Sequence, residues 1–298
     1  MGVRLAHSQY GKAETRVVRV YRDADPHELV DYNVSVALSG EFSAVHLTGD
    51  NANCLTTDAA KNTVNAFASS RGEAARQPES FGLVLARHFV ADVPAVRRAR
   101  IRLDMYPWVR LDSSGAPHPH AFRRDGGYVR TATVTCEAGR EWVVSGIRDL
   151  VVLKTTDSEF GGFYTDRYTT LAPTSDRVLA TSVTAQWFHA SRPGDWGRSF
   201  GTVVAVLTST FAAHHSLSLQ QTLYEMGTEM IAAEPGIAEV RMSLPNKHHF
   251  AVDLSPFGLD NANEVFHADD RPYGLIEAAV RRDDAPDPGP AFDPGIGW

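Results

Sequence analysis

The amino-acid sequence predicts an α+β protein whose two halves repeat one order of elements: a hairpin of strands, then helices, then a second hairpin. Alternating apolar and polar residues occur in both halves, which is the pattern of strands with one buried face. Between them lie segments with apolar residues three and four positions apart, as in amphipathic helices. The 298 residues are sufficient for two such units. The similarity lies in the order of elements, since no residue-level repeat is visible.

Seven features are expected in the first half, in this order: strands over 16–22, 34–38 and 45–48, helices from Thr57 and Ser80, a strand over 98–105, and a hairpin turn at 125–127. A turn at Ser39-Gly40 is expected to join the second and third strands as a hairpin. Ser80 is a candidate N-cap. The strand over 98–105 alternates charged with apolar residues, which indicates one dry and one charged face.

The second half is expected to contain five strands, over 143–154, 177–188, 201–210, 240–244 and 250–254. One helix is expected among them, opened by Ser218, with Gln221 three residues later as in a capping box. A boundary near residues 137–139 divides the chain into units 1–138 and 139–282. The tail 283–298 is rich in proline, glycine and aspartate, and is expected to be irregular.

Composition excludes several classes of protein. A formal net charge of -7 argues against general nucleic-acid binding, which requires a basic surface. The N-terminus has no apolar signal segment, and no stretch reaches the roughly 18 apolar residues of a membrane span. The sequence also lacks a C-terminal Ser-Lys-Leu signal. A cytoplasmic protein is therefore expected.

Metal binding is not expected either. The two cysteines, Cys54 and Cys136, are too few for a disulfide framework or a cysteine-based zinc site, and we interpret them as buried small hydrophobic residues. Three histidine pairs lack the spacing and nearby carboxylate of a zinc motif: His118 and His120, His214 and His215, and His248 and His249. The first pair lies in a predicted loop.

Three short segments carry residue types suited to chemistry, but each has an ordinary structural explanation when taken alone. Tyr10-Gly11-Lys12 stands at a strand entry, and most such lysines are solvated. Residues 56–62 are typical of a capped helix start with an acidic first turn. Residues 246–248 follow a proline in an apparent turn.

Together with further segments, these motifs resemble the urate oxidase family in order and over nearly the whole chain. The matching segments run from Tyr10 to Phe266: 10–12, 57–62, 149–163, 166–171, 176–177, 218–224, 244–248 and 263–266. The resemblance implies a tunnelling fold, in which each half is an antiparallel four-stranded sheet with two helices on one face. It also implies a homotetramer whose sheets join edge to edge into barrels, with active sites at subunit interfaces. Such closure removes open strand edges.

The resemblance implies a substrate site for urate, a flat and electron-rich purine. Phe160 matches the stacking residue, Arg177 a two-pronged donor for an anionic edge, and Gln220 an amide that pairs with a carbonyl and an adjacent N–H. Backbone groups of Leu219 and Asp58 are expected to add contacts. The family usually has valine in place of Leu219, but a backbone contact survives that change.

The resemblance also implies cofactor-independent oxidation of urate by O2 and water to 5-hydroxyisourate and H2O2. Lys12 and Thr57 match the residues that handle the proton, and His248 extends this relay. Thr57 and Asn246 are expected to hold O2 and later water above the ring. Lys12 and Thr57 would come from the subunit that faces the one carrying the other residues.

Two positions depart from the family pattern: Ala59 replaces a frequent serine, and Gly161 replaces a frequent aromatic residue. Three alternatives stay open at this stage. One is a pterin-pathway cyclohydrolase of the same fold, whose zinc forms need a Cys/His ligand set. The second is a purine-binding protein without catalysis, for which Lys12, Thr57, Asn246 and His248 would be unnecessary. The third is a purely structural barrel-forming protein.

Overall fold

The computed structural model describes residues 2–293. The strands are β1 Tyr10–Tyr21, β2 Glu28–Gly40, β3 Val96–Met105, β4 Trp108–Ser113, β5 Ala116–Arg124, β6 Val129–Glu137, β7 Arg140–Lys154, β8 Leu179–His189, β9 Ile237–Pro245, β10 His248–Ala251, β11 Phe266–Asp269 and β12 Leu275–Arg281. The α-helices are α1 Ser43–Leu47, α2 Thr57–Ser70, α3 Pro78–Asp92, α4 Trp196–Ala213 and α5 Leu219–Ala233. Short 3-10 helices span Ala74–Arg76, Ser255–Phe257 and Gly289–Phe292.

The described residues form two compact units. The first comprises the described parts of Met1–Gly146, Phe188–Gly197 and Pro286–Trp298. The second comprises Ile147–Trp187 and Arg198–Ala285. These units, which are defined by contacts, do not test whether residues 1–138 and 139–282 form tandem tunnelling-fold units. That statement stays a prediction.

In the first unit, the strands follow the order β1-β2-β3-β6, continued by the first part of β7. Helix α3 packs on β3 and β6, and α2 packs on β1. Its core joins Phe81, Leu85 and Phe89 of α3 to buried side chains of the sheet such as Val36 and Ile101. A separate β4–β5 hairpin is inserted between β3 and β6.

In the second unit, the strand order is β7-β8-β9-β12, and α5 packs on β9 and β12. Leu219, Leu223, Met226 and Met230 of α5 are buried and form the apolar stripe of this helix. A separate β10–β11 hairpin is inserted between β9 and β12. Each unit therefore has two strands, helices, a strand, an inserted hairpin and a last strand.

Local signals explain several elements. Strand β3 buries Ala99, Ile101 and Leu103 completely, while the arginines between them face the other side. Helix α5 begins as predicted, because the Ser218 hydroxyl accepts from the Gln221 N–H at 3.2 Å. Helix α2 begins at Thr57 as predicted.

The predicted hairpin over 34–48 was wrong. Strand β2 instead pairs with β1 through the connection over 22–27, and residues 43–47 form the short helix α1. The strand predicted over 201–210 was also wrong, since it lies within α4. Its valines and threonines favour a strand by propensity, but Phe200, Val203, Leu207 and Phe211 are buried at helical spacing.

Five smaller predictions also need correction. The segment 125–127 is not a hairpin turn, because it joins β5 to β6, which lie in different sheets. His118 and His120 lie on β5 rather than in a loop. Helix α3 begins at Pro78 and not after Ser80, and β10 ends before residue 252. Cys136 is buried as predicted, whereas Cys54 is only half-buried.

The described part of the tail is mostly irregular. It ends in the 3-10 helix Gly289–Phe292, whose Ala291 is buried. The remainder of the predicted tail, residues 294–298, lies outside the described residues. Between residues 2 and 293, no helix is long and apolar enough to cross a bilayer.

Candidate active site

A cavity of about 450 Å³ opens in the second unit. Its walls come from the segment 160–178, the start of α5, Asn246 after the end of β9, the β10–β11 hairpin and β12. Six residues predicted from the sequence line it: Phe160, Arg177, Leu219, Gln220, Asn246 and His248. The structure thus brings residues that are far apart in the sequence into one concave site, which is the usual form of a small-molecule site.

Phe160 and Arg177 are held next to each other by a short backbone ladder. Phe160 exchanges two backbone hydrogen bonds with Thr174, with N···O distances of 2.9 and 3.0 Å, and the Arg177 N–H donates to the Ser158 carbonyl at 2.8 Å. The guanidinium carbon of Arg177 lies 5.2 Å from the centroid of the Phe160 ring. Burial lowers the pKa of Arg177, but a guanidinium stays charged at neutral pH. The pair presents an aromatic face and a rigid cationic fork to the cavity.

The start of α5 supplies hydrogen-bonding groups. Ser218 caps the helix, and the Gln221 side chain accepts from the Leu217 N–H at 3.1 Å. Leu219 and Gln220 both line the cavity; the Leu219 side chain is buried, while Gln220 is exposed. The first N–H groups of a helix have no partner within that helix. This corner therefore offers backbone donors and the amide of Gln220.

Asn246 and His248 follow the end of β9. The Asn246 N–H donates to the Gly274 carbonyl at 2.8 Å, which fixes the backbone. The His248 ring stacks on Phe250, with centroids 5.5 Å apart and an interplanar angle of 15°. Within residues 2–293, the side-chain amides of Gln220 and Asn246 have no hydrogen-bond partner. Both amides are available to a ligand.

Lys12 lies on β1 of the first unit, beside a bulge and opposite Val36 of β2. A Cβ atom at Gly11 would lie 1.8 Å from the Val36 carbonyl oxygen. Only glycine allows β1 to approach β2 this closely. The glycine of the Tyr10-Gly11-Lys12 motif thus determines where the half-buried Lys12 lies.

Thr57 and Asp58 form the first turn of α2, behind the N-cap Thr56, whose hydroxyl accepts a backbone N–H at 3.1 Å. The Asp58 carboxylate accepts from the Lys61 ammonium at 2.5 Å. This hydrogen bond is the main reason that the pKa of Asp58 is lowered, and the charge of Lys12 adds a smaller effect. Lys12 and the start of α2 therefore lie within electrostatic range of each other.

The nine predicted residues thus divide between the units. Lys12, Thr57 and Asp58 belong to the first unit, and the other six line the cavity of the second. Their individual roles stay predictions.

Part of the cavity wall was not predicted from the sequence. The β10–β11 hairpin contributes His249, Phe250, Ala251 and Phe266, and β12 contributes Ile276. The alternation around Phe250 indicated a strand. Its partner β11 has only four residues, which is too short for a recognisable period.

The fold and the cavity define a class: an α+β protein with a small-molecule site that combines an aromatic face, a cation and paired amide groups. Such a site suits a flat, polar and anionic ring.

Comparison with known proteins identifies the family. A family model described as Uricase matches residues 8–135 and 143–277. A uricase of Arthrobacter globiformis is 47% identical over 279 residues, covering 94% of this chain and 90% of the relative. A uricase of Dictyostelium discoideum is 38% identical over 282 residues, covering 93% and 97%. The chain belongs to the uricase family, which is a family of oxidoreductases.

Solved structures agree. The crystal structure of uricase from Arthrobacter globiformis has a TM-score of 0.92 at 46% identity, covering 96% of this chain and 98% of that one. A uricase structure from Bacillus fastidious, at 24% identity and a TM-score of 0.79, shares the fold.

Proposed function

We propose that this protein is a urate oxidase that converts urate, O2 and water to 5-hydroxyisourate and H2O2. Urate loses two electrons and gains a hydroxyl group from water, and O2 takes up the two electrons and two protons. The observation that carries the proposal is the cavity of the second unit, where six residues of the predicted set meet in a chain of the uricase family.

In this proposal, the purine ring lies on Phe160, because base–aromatic stacking contributes roughly 1–3 kcal/mol. Arg177 donates two charge-assisted hydrogen bonds to the anionic edge. The Gln220 amide pairs with a carbonyl and a neighbouring N–H, and the Leu219 and Asp58 backbones add contacts. The unpartnered amides of Gln220 and Asn246 support this arrangement.

Proton transfer is assigned to Lys12 and Thr57, with His248 extending the relay. In these roles Lys12 acts as the general base and Thr57 passes the proton on. Thr57 and Asn246 hold O2, and then water, above the ring. The doubly deprotonated purine is electron-rich enough to reduce O2 directly, so we propose a reaction without flavin, haem or metal.

We further propose that the enzyme is a homotetramer of tandem tunnelling-fold chains, in which Lys12, Thr57 and Asp58 face the cavity of a neighbouring subunit. The division of the nine residues between two units supports this, as do the outermost strands β1 and β12, which invite pairing with another chain. Mixing Lys12→Ala with Arg177→Ala subunits after dissociation would then restore activity. A mixture as inactive as its parents would contradict shared sites. A cytoplasmic location stays a prediction.

The test of the activity is oxygen-dependent turnover by purified, chelator-treated protein, with urate absorbance and peroxide followed together. Equal rates of urate loss and peroxide formation, unaffected by the chelator, are expected. Urate that binds without being consumed would favour the purine-binding alternative. No binding and no turnover would contradict the proposal.

A further inference from the structure

The segment 157–160 carries the stacking residue into the cavity and is held from two sides. On one side, the Glu159 N–H donates to the Ser216 carbonyl at 2.8 Å, and the Ser216 N–H donates to the Asp157 carbonyl at 3.1 Å. On the other side, the Ser158 carbonyl accepts from the Arg177 N–H at 2.8 Å. The position of this segment therefore determines the positions of both Phe160 and Arg177.

One side chain ties this segment to the turn before α5. The His215 ring lies between two carboxylates. Its Nδ1 is hydrogen-bonded to Asp157 Oδ1, and its Nε2 is hydrogen-bonded to Glu159 Oε1 at 2.8 Å. Asp157 and Glu159 face His215, whereas Ser158 between them is completely buried, with its hydroxyl 3.4 Å from Nε of Arg177.

This bridge depends on the charge of the imidazole. Both ring nitrogens donate only when histidine is protonated. The hydrogen bonds to Glu159 and then Asp157 raise the pKa of His215, and the bond to His215 lowers the pKa of Asp157. Two other charged or titratable groups act there: Lys154 and His214, of which the Lys154 ammonium also bonds to the His214 carbonyl.

We propose that His215 is a positioning residue of the candidate active site: by bridging Asp157 and Glu159, it holds the segment that places Phe160 and Arg177 against the substrate. Its readout rests on the proposed function, since urate is the ligand. His215 itself contacts no cavity residue in this role, and it acts through the two carboxylates.

The first test compares His215→Ala with His46→Ala, an exposed histidine on α1, in steady-state urate oxidation. We expect His215→Ala to raise KM roughly tenfold and to change kcat less than about twofold, because misplaced binding groups weaken the bound substrate and the transition state alike. His46→Ala should match the parent. Equal KM values for His215→Ala and the parent would overturn the inference.

The pH dependence gives a readout that a merely structural role would not produce. Because its carboxylate partners raise the pKa of folded His215, the bridge is complete below the ordinary histidine range and is lost as the pH rises through the raised pKa. The ratio of the His215→Ala KM to the parent KM should therefore fall towards one with rising pH. A constant ratio would contradict the charged bridge.

Two further variants keep the inference testable if His215→Ala folds poorly. His215→Arg supplies a cationic fork that bonds both carboxylates, so it should restore KM and remove the loss at high pH. Glu159→Gln removes one charged arm with little change of shape, and a smaller rise in KM is expected. If the parent itself does not oxidise urate, the proposed function fails. If the parent is active while His215→Ala, or Glu159→Gln where His215→Ala does not fold, has the parent KM, only the role of His215 fails.

Discussion

The two units share one order of elements but use the same helix position differently. The second residue of α5 is Gln220, which is exposed at the cavity wall. The second residue of α3 is Glu79, which is completely buried. Its carboxylate accepts from Arg130 at 2.7 Å and from the Ser145 hydroxyl at 2.7 Å. Arg130 is the second residue of β6, whereas the second residue of β12, Ile276, lines the cavity.

The first unit also has a cavity, of about 390 Å³, but the arginine side chains that line it already have partners within the protein. Arg76 pairs with Glu28 and, at 3.1 Å, with Glu73. Arg110 donates to two backbone carbonyls at 2.8 Å. One framework therefore gives a ligand site only where polar side chains are left without protein partners. Where they satisfy one another, the same framework gives a stable core.

The largest expected difference between the units is in stability. Glu79→Ala leaves the Arg130 charge buried without this carboxylate, which should lower the free energy of unfolding by about 3–5 kcal/mol. Urea unfolding at fixed protein concentration measures it. Gln220→Ala, at the matching position, should change stability by less than about 0.5 kcal/mol. Similar losses in both variants would contradict the comparison.

For activity, we expect the larger effect from a variant in the second unit. Arg177→Ala removes a charge-assisted fork from the cavity, and kcat/KM for urate should fall roughly 100-fold, since each hydrogen bond to a charged group contributes about 1.5–3 kcal/mol. The exposed Arg123→Ala is the matched control and should retain the parent kcat/KM. An Arg177→Ala enzyme within a few-fold of the parent would exclude a direct role in binding.

Gly11→Ala tests how the first unit positions its predicted proton-handling residue. Because the added Cβ meets the Val36 carbonyl oxygen, β1 must move, at a cost of about 2 kcal/mol of stability, and kcat should fall with the displaced Lys12. Gly194→Ala, where no atom lies within 4 Å of the added Cβ, should be neutral. An unchanged kcat in a folded Gly11→Ala protein would contradict a role of Lys12 in the reaction.

The smallest effect concerns pH. Burial, and then the charge of Arg130, lower the pKa of His189 from 6.5 to about 3. Its Nε2 lies 3.0 Å from the Ser145 hydroxyl. The unfolded chain binds a proton in this range and the folded chain does not, so stability falls as the pH falls, by about 1 kcal/mol between pH 6 and 5. His189→Gln should flatten this slope in urea unfolding, and an unchanged slope would assign it to other groups.

Elements with a clear local signal were predictable. Strand β3 has strict alternation, and α5 has both a cap and an apolar stripe. Helix α4 was not predictable, because its β-branched residues favour a strand and only its packing selects the helix. The predicted partner of β2 was also wrong. The turn signal at residues 39–40 favoured pairing with the next segment, whereas the actual pairing of β2 with β1 is determined by the whole sheet.

The candidate site was predictable as a set of residues but not as a shape. Motifs indicated Phe160, Arg177 and Gln220, and only the fold shows that they line one cavity. The buried Glu79–Arg130 pair left no signal, because its members stand 51 positions apart and each resembles a surface charge in the sequence.

Strand β1 ends the strand order of its unit, and two of its valines, Val18 and Val20, are exposed at 54% and 39%. A bare edge of 12 residues is a template on which any extended chain can add. If the assembly covers that edge, dissociated protomers are the aggregation-prone species. A concentrated preparation should then outlast a dilute one in storage, and refolding yield should depend on how quickly subunits find each other.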